Sequence, residues 1–516
     1  MSSAPPVVGA STAGPRTEPA ALAGWLLGPS GVVHRGHVLH IAGDGDLAAA
    51  DDQLVSVPDG ALAVDASGRI AWLGRYADLP SGYDSWQVVG DGSALLLPGF
   101  VDTHLHYPQT FTTDAYGGGQ LLEWLEHCVF PAEARLADQE HAVRIARSFT
   151  RRRIQVGTTA AMVFGSAFPG AQDALFEATR EAGLRLVSGR GIQTVGPASA
   201  GPLLTGEDEA IALVAAEIDR WHCADTGDPA TALLQAAVVP RFSLSVTPRT
   251  LAALGELYAG VRDRGVYLHT HLNENNRAGD GEIAAVRAQY GVASYLDTYD
   301  GLFLPGSKRG GESLLGRRTI MAHAVHCTDD ELARLAASGS SIAHCPTSQQ
   351  FLGSGTMPWR RTVGHDVTVA LGSDVGAGDE WLIPRVANDA YKVHLSEPGA
   401  DSVALSPPQL LYLCTLAGAQ ALDQQDRFGN FDLGKEADFV TIEPDRDEHL
   451  ALALDGAGHD PDPHRALYQV LFTLLMGLRE AAITAVHVRG RRVVPPARDQ
   501  HPGPASGPTW LGRRSR

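Results

Sequence analysis

The sequence predicts an α/β protein: a (β/α)8 TIM barrel joined to a small β-sandwich built from both ends of the chain. Three observations predict it. Apolar runs of strand length alternate with stretches of helical period through the middle of the chain, the rhythm of strand–helix units. Both ends switch to short strands punctuated by Gly, Asp and Ser. Polar residues able to do chemistry recur at the ends of the central apolar runs, where such a barrel carries its active site.

The organisation read from these patterns is a disordered tail at 1–20, a β-sandwich from 21–94 plus 425–495, a barrel at 95–424 and a second disordered tail at 496–516. The opening "MSSAPPVVGASTAGPRTEP" has no basic region followed by an apolar core, so it reads as a flexible tail and not a secretion signal. "HVLHIAG", "ALAVDASGRIAWLG" and "SWQVVGDGSALLL" supply the first strands of the sandwich, and "GNFDLGKEADFVTIEP" and "AAITAVHVRGRRVV" its last. The first barrel strand follows the run Leu95–Leu97 in "LLLPGFVDTHLHYPQT". Seven more come from "TTAAMVF", "LRLVSGR", "LLQAAVVPRFSLS", "VYLHTHL", "TIMAHAVH", "SIAHCP" and "VTVALGSD", with helices such as "AQDALFEATREAG" and "DDELARLAASG" between. The Pro- and Gly-rich "HPGPASGPTWLGRRSR" reads as the closing tail.

Bulk composition narrows the function classes. At 516 residues and 44% hydrophobic the chain has ample material for a large core. Its longest apolar stretches, such as Ala466 to Leu478, fall short of the ~20 residues of a membrane span, so no membrane partner is expected. A net charge of -18 argues against nucleic acid, whose affinity is built on clustered Lys and Arg. Cys128, Cys223, Cys327, Cys345 and Cys414 are scattered without Cys-x-x-Cys spacing, which fits reduced thiols and a cytoplasmic location.

The strand-end residues are His104 and His106, Arg241, His271 with Glu274 beyond it, His323 and Asp374. Alternation along a strand puts His104 and His106 on one face, and in a barrel that face can be the lumen. Two imidazoles there need something to bind their lone pairs, and a divalent metal does so directly. A lone strand histidine such as His344, or His222, reads instead as a hydrogen-bonded core residue.

With these residues in place the chain resembles the amidohydrolase superfamily, whose pattern is His-x-His on strand 1, His on strands 5 and 6, and Asp on strand 8. Within it, "PGFVDTHLHYPQT", "GGGQLLEWLEHCVFPAEARL", "GTTAAMVFG", "VPRFSLS", "HTHLNEN", "MAHAVH", "SSIAHCPTSQQFLGSG" and "LGSDVGAG" resemble, in order, the guanine deaminases. Lys308 is the first lysine, so the lysine-bridged two-metal form of that superfamily has no bridging residue here. The resemblance implies one metal per subunit on His104, His106, His271 and Asp374; Zn²⁺ suits that set and Fe²⁺ would also fit it.

It implies, further, that Glu274 shuttles protons, that His323 holds the attacking water, and that Asp374 steers it while binding the metal. Gln109, Arg241 and Phe242 would bind a purine base, with His271, Glu274 and Asp374 also facing it. Arg matches the O6 and N7 acceptors of guanine, Phe242 lies against the ring, and Gln109 offers both a donor and an acceptor. The expected reaction is hydrolytic deamination of guanine to xanthine and ammonia, in purine catabolism, by a homodimer. The alternatives are a sister deaminase of 8-oxoguanine, a pterin or a triazine, a triazine dechlorinase, and a non-catalytic scaffold. The resemblance thins at 188–202, "SGRGIQTVGPASAGP", and in a long loop from Asn276 to Ser313 that is expected to adjust a lid without touching the metal.

Overall fold

The computed structural model describes residues 31–112, 120–277, 281–303 and 311–496. Apart from Pro496, the two expected tails lie outside the described residues, as do 21–30 of the small domain.

The strands fall into two sheets. The first takes β1 (Val32–Ile41), β2 (Leu54–Val64), β3 (Ile70–Arg75), β4 (Gln87–Val89) and β5 (Leu95–Pro98) from the early chain. The barrel follows with β6 (Phe100–His106), β7 (Thr158–Phe164), β8 (Arg185–Gly189), β9 (Leu234–Val238), β10 (Tyr267–Leu272), β11 (Thr319–His323), β12 (Ser341–His344) and β13 (Val369–Leu371). The late chain returns to the first sheet with β14 (Phe439–Ile442), β15 (Ile483–Val488) and β16 (Arg491–Arg492).

The two ends of the chain join as one continuous ladder, in the order β16-β15-β14-β5-β1-β2-β3, with β4 also on β1. Period-two alternation gives it two apolar faces. Val38, Leu62, Val64, Ile70, Leu96 and Phe439 gather on one, and Leu39, Ile41, Leu95, Leu97, Val440 and Ile442 join the main core on the other.

Two boundaries differ from the sequence reading. Leu95–Pro98 pairs with Phe439–Ile442 and with β1, so it belongs to the small sheet and not to the barrel. The chain crosses over at Gly99, where a Cβ would sit 2.2 Å from Thr159 Oγ1; only glycine admits that approach. The 425–495 segment, expected to be sandwich, also contains the helices Glu448–Ala457 and Pro463–Gly477. The second buries Leu471, Leu474 and Leu475, a helical spacing, and packs on the barrel helices Ile383–Leu395 and Pro407–Cys414.

The barrel strands are parallel, in sequence order from β6 to β13. Its closing seam is made by Thr103 Oγ1 donating to Leu371 O (2.8 Å), Asp374 N to His104 O (2.8 Å) and His106 N to Val375 O (2.6 Å). Outer helices form where the pattern directs. Gln139–Gln155 is capped by Asp138, which accepts from His141 N, and buries Ala142, Ile145, Ala146 and Phe149 on one stripe. Among the described residues no helix is long and apolar enough to cross a membrane. The five cysteines are free thiols, four of them buried.

Candidate active site

The seam places the chemistry. His104 and His106 end β6, and the backbone bonds that close the barrel bring Asp374 beside them: its Oδ1 lies 3.1 Å from Nε2 of each. From β10, His271 Nε2 comes within 3.3 Å of His106 Nε2. From β11, His323 Nε2 stands 3.8 Å from Asp374 Oδ2 and 3.4 Å from Glu274 Oε2. Ligand atoms of His104, His271, His323 and Asp374 all lie within 4.8 Å of one another, and such a group could hold a metal ion.

The donor set fits one. His271 Nδ1 lies 2.6 Å from Arg241 O, and a carbonyl only accepts, so the proton is on Nδ1 and the Nε2 lone pair faces the cluster. His104 Nε2 and both ring nitrogens of His323 are buried and hydrogen-bond to no protein group. Burial with neighbouring imidazoles holds His271 well below the usual histidine value, and burial holds His106 at about 4 and His323 at about 3. These rings are therefore neutral at physiological pH, as ligation requires.

Glu274 is the opposite case. Burial, followed by the charges of Glu282 and Asp374, pushes its carboxyl well above the usual value, and its Oε1 has no partner. Left-handed backbone also occurs here: Asn273, His323 and Asp374 adopt φ of 47°, 71° and 48°, a region that few non-glycine residues enter.

Above the cluster a pocket opens at the barrel mouth. Its polar lining is His106, Gln109, Arg241, His271, Glu274 and Asp374, and its apolar lining includes Leu121, Trp124, Leu125 and Phe242. Thus the structure brings every sequence-predicted site residue together, with His104 and His323 below the floor. Arg241 and Asp374 lie beyond the ends of their strands, Val238 and Leu371, over the barrel mouth. The 188–202 segment, where the resemblance thins, contributes Ala200 to the apolar cluster behind Phe242 and Trp124, and Leu203 follows just after it.

The supposed loop from Asn276 to Ser313 is not loop throughout. Leaving aside 278–280 and 304–310, which are outside the described residues, it forms the helices Glu282–Tyr290 and Leu296–Tyr299. It also supports the site directly. Tyr299 Oη donates to His271 O (3.0 Å), and Glu282 Oε2 accepts from the backbone N–H of Glu274 and Asn275 (3.1 Å each).

Four further residues escaped the sequence reading. His269 stands two before His271, the same spacing that singled out His104 and His106, and its Nε2 lies 2.6 Å from His104 Nδ1. Asp102, two before His104, accepts from Ser373 Oγ (2.6 Å) and Ser373 N (3.0 Å), which anchors the residue next to Asp374. Glu282 is the third. Glu133, buried in "FPAEARL", is the fourth; it bonds both Arg241 and Gln109.

Fold and site together define the class: a (β/α)8 barrel with a histidine and aspartate cluster at the C-terminal mouth of its strands, below a pocket lined by polar and apolar side chains. The chain belongs to the amidohydrolase family, whose model matches residues 95–492. It is 41% identical over 428 residues to a probable guanine deaminase of Deinococcus radiodurans, covering 81% of this chain and 91% of that one. The guanine deaminase of Escherichia coli strain K12 is 34% identical over 443 residues, covering 85% and 91%. Among solved structures, guanine deaminase from Bradyrhizobium japonicum superposes with a TM-score of 0.79 at 26% identity, covering 91% of this chain and 100% of that one.

Proposed function

We propose that this protein hydrolyses guanine to xanthine and ammonia, with one Zn²⁺ held by His104, His106, His271 and Asp374. The observation that carries the proposal is the convergence of Gln109, Arg241 and Phe242 with that cluster and Glu274 on one small cavity. The guanine deaminases of similar sequence support the choice of substrate. Three imidazoles and a carboxylate suit zinc.

The metal, when bound, lowers the pKa of a water molecule toward neutrality and so supplies the nucleophile. The remaining work falls to the chain. Arg241 and Gln109 meet the O6/N7 edge of the base and set its depth, while Phe242 covers a ring face. That pose turns C2 toward the cluster floor and N3 toward Glu274. Burial and adjacent negative charge favour the protonated form of Glu274, which suits it to take a proton from the attacking water to N3 as C2 is attacked, and then to pass the remaining hydroxyl proton to the departing amine as ammonia. His323, with both ring nitrogens unpartnered, holds the attacking oxygen by a hydrogen bond.

The test follows guanine absorbance and ammonia release with and without a chelator, alongside 8-oxoguanine, a pterin and a triazine. Chelator-sensitive turnover of guanine above the others supports the reading, and preference for another substrate overturns the choice of base. Glu274→Gln should retain its metal and lose activity by orders of magnitude; near-normal turnover would sink its assignment.

A further inference from the structure

Glu133 lies on the short helix Phe130–Ala134, just outside the cavity lining, and its side chain is only 5% exposed. A carboxylate so deep needs partners, and it takes two. Arg241 Nη1 donates to both of its oxygens (2.9 and 2.8 Å), and Gln109 Nε2 donates to Oε1 (2.9 Å). Gln109 Oε1 in turn accepts from Gly376 N (3.3 Å), so both ends of its amide are fixed. The two side chains that read the base thus hang from one carboxylate.

We propose that Glu133 is the positioning residue for substrate selection: it fixes Arg241 and Gln109 in reading geometry and cancels the charge of Arg241, so that the cavity takes a neutral base and rejects an anionic one. This rests on the reading of the site as one for guanine. An unopposed guanidinium in so enclosed a place would favour anions strongly, because Coulomb attraction is little screened there. Guanine is neutral at physiological pH, whereas xanthine gains an acidic N–H in place of the amidine and ionises more readily. The paired carboxylate therefore withholds an electrostatic reward from the product while leaving the guanidinium's remaining N–H groups to donate to O6 and N7. Fast product release and correct substrate pose then have one structural source.

The test uses Glu133→Gln and Glu133→Asp in the full-length, metal-loaded protein, with kcat and KM for guanine and the inhibition constant of xanthine measured from pH 6 to 9. For Glu133→Gln the expected result is a KM raised about tenfold or more with kcat within about threefold, and xanthine binding about tenfold tighter than in the parent, increasingly so as pH rises through xanthine ionisation. Glu133→Asp keeps the charge and shortens the reach, so its KM should rise without tighter xanthine binding. Guanine and xanthine weakening in parallel in Glu133→Gln would overturn the charge-cancelling role, and unchanged KM in both variants would overturn positioning. Should Glu133→Gln fail to fold, Glu133→Asp together with Arg241→Gln decides the point: Arg241→Gln leaves the Glu133 carboxylate unopposed, so xanthine binding should weaken increasingly as pH rises through xanthine ionisation, and a pH-independent loss would overturn the charge-cancelling role. Direct calorimetric binding of xanthine needs no turnover, so a parent protein inactive on guanine would refute the proposed reaction and leave this arm readable.

Discussion

His104 Nδ1 lies 2.6 Å from His269 Nε2, and His269 Nδ1 lies 2.9 Å from the carbonyl of Ile320. The carbonyl can only accept, so His269 carries its proton on Nδ1 and receives the His104 N–H on Nε2. His104 Nε2 is left as a lone pair facing Asp374. Outer partners of this kind commonly change metal affinity by about 10- to 100-fold when removed. His269→Phe should therefore lose metal to a competing chelator within that range while folding normally; unaltered retention would count against the relay.

The turn after β13 packs against the base of His104. A Cβ on Gly372 would lie 2.8 Å from His104 Cβ and 3.0 Å from Cys345 Sγ, and both residues are fully buried, with little room to give way. Gly372→Ala should push His104 out of register and reduce turnover by at least about tenfold. A parallel loss of bound metal, measured by elemental analysis, distinguishes this from a general loss of fold.

Asp102 holds the closing seam by accepting from Ser373 Oγ, Ser373 N and His104 N (3.2 Å). Asp102→Ala leaves these three donors without their acceptor. The expected cost is about 1–3 kcal/mol of stability, visible as a lower denaturation midpoint, with metal binding weakened as Asp374 loses its anchor. An unchanged midpoint would show the seam to be held by its backbone bonds alone.

Acid sensitivity should be set at the opposite end of the barrel. There Arg185 from β8 bonds both Glu436 and Asp438, and Arg427 and Arg489 lie close by. Burial opposes the charge of Glu436, but the guanidinium groups outweigh it and hold its pKa at about 2, against 4.5 for an ordinary glutamate. A folded-state pKa below the unfolded one gives stability that is present above about pH 4.5 and lost as pH falls toward 2. The difference is worth about 3 kcal/mol. Glu436→Gln should flatten that part of the stability profile in urea titrations at pH 5 and pH 3; an equally steep fall would assign it to other carboxylates.

The barrel strands were legible because each is buried on both faces and reads as an apolar run with punctuation at its ends. The histidines of β6 stood out because their spacing violates that apolar rule. The start of the barrel was not legible at Leu95, since Leu95–Pro98 is as apolar as a barrel strand and its pairing partner, Phe439–Ile442, is remote in sequence. Glu133 and Glu282 were hidden for another reason. Each sits on a short helix whose pattern does not tell which side faces the site, and only the packed structure shows what their carboxylates bind.

The sheet ladder has a consequence for how the protein is made. When β5 leaves the ribosome, β1 is available to it, but β14 on its other edge is synthesised only after the whole barrel. Until then the nascent chain carries an open apolar edge strand, the kind of surface that invites pairing with other chains. A chain released early, short of Phe439, would keep its metal-site residues and still lack the strand that covers that edge, so aggregation during synthesis should track loss of the last strands more closely than damage to the catalytic mouth.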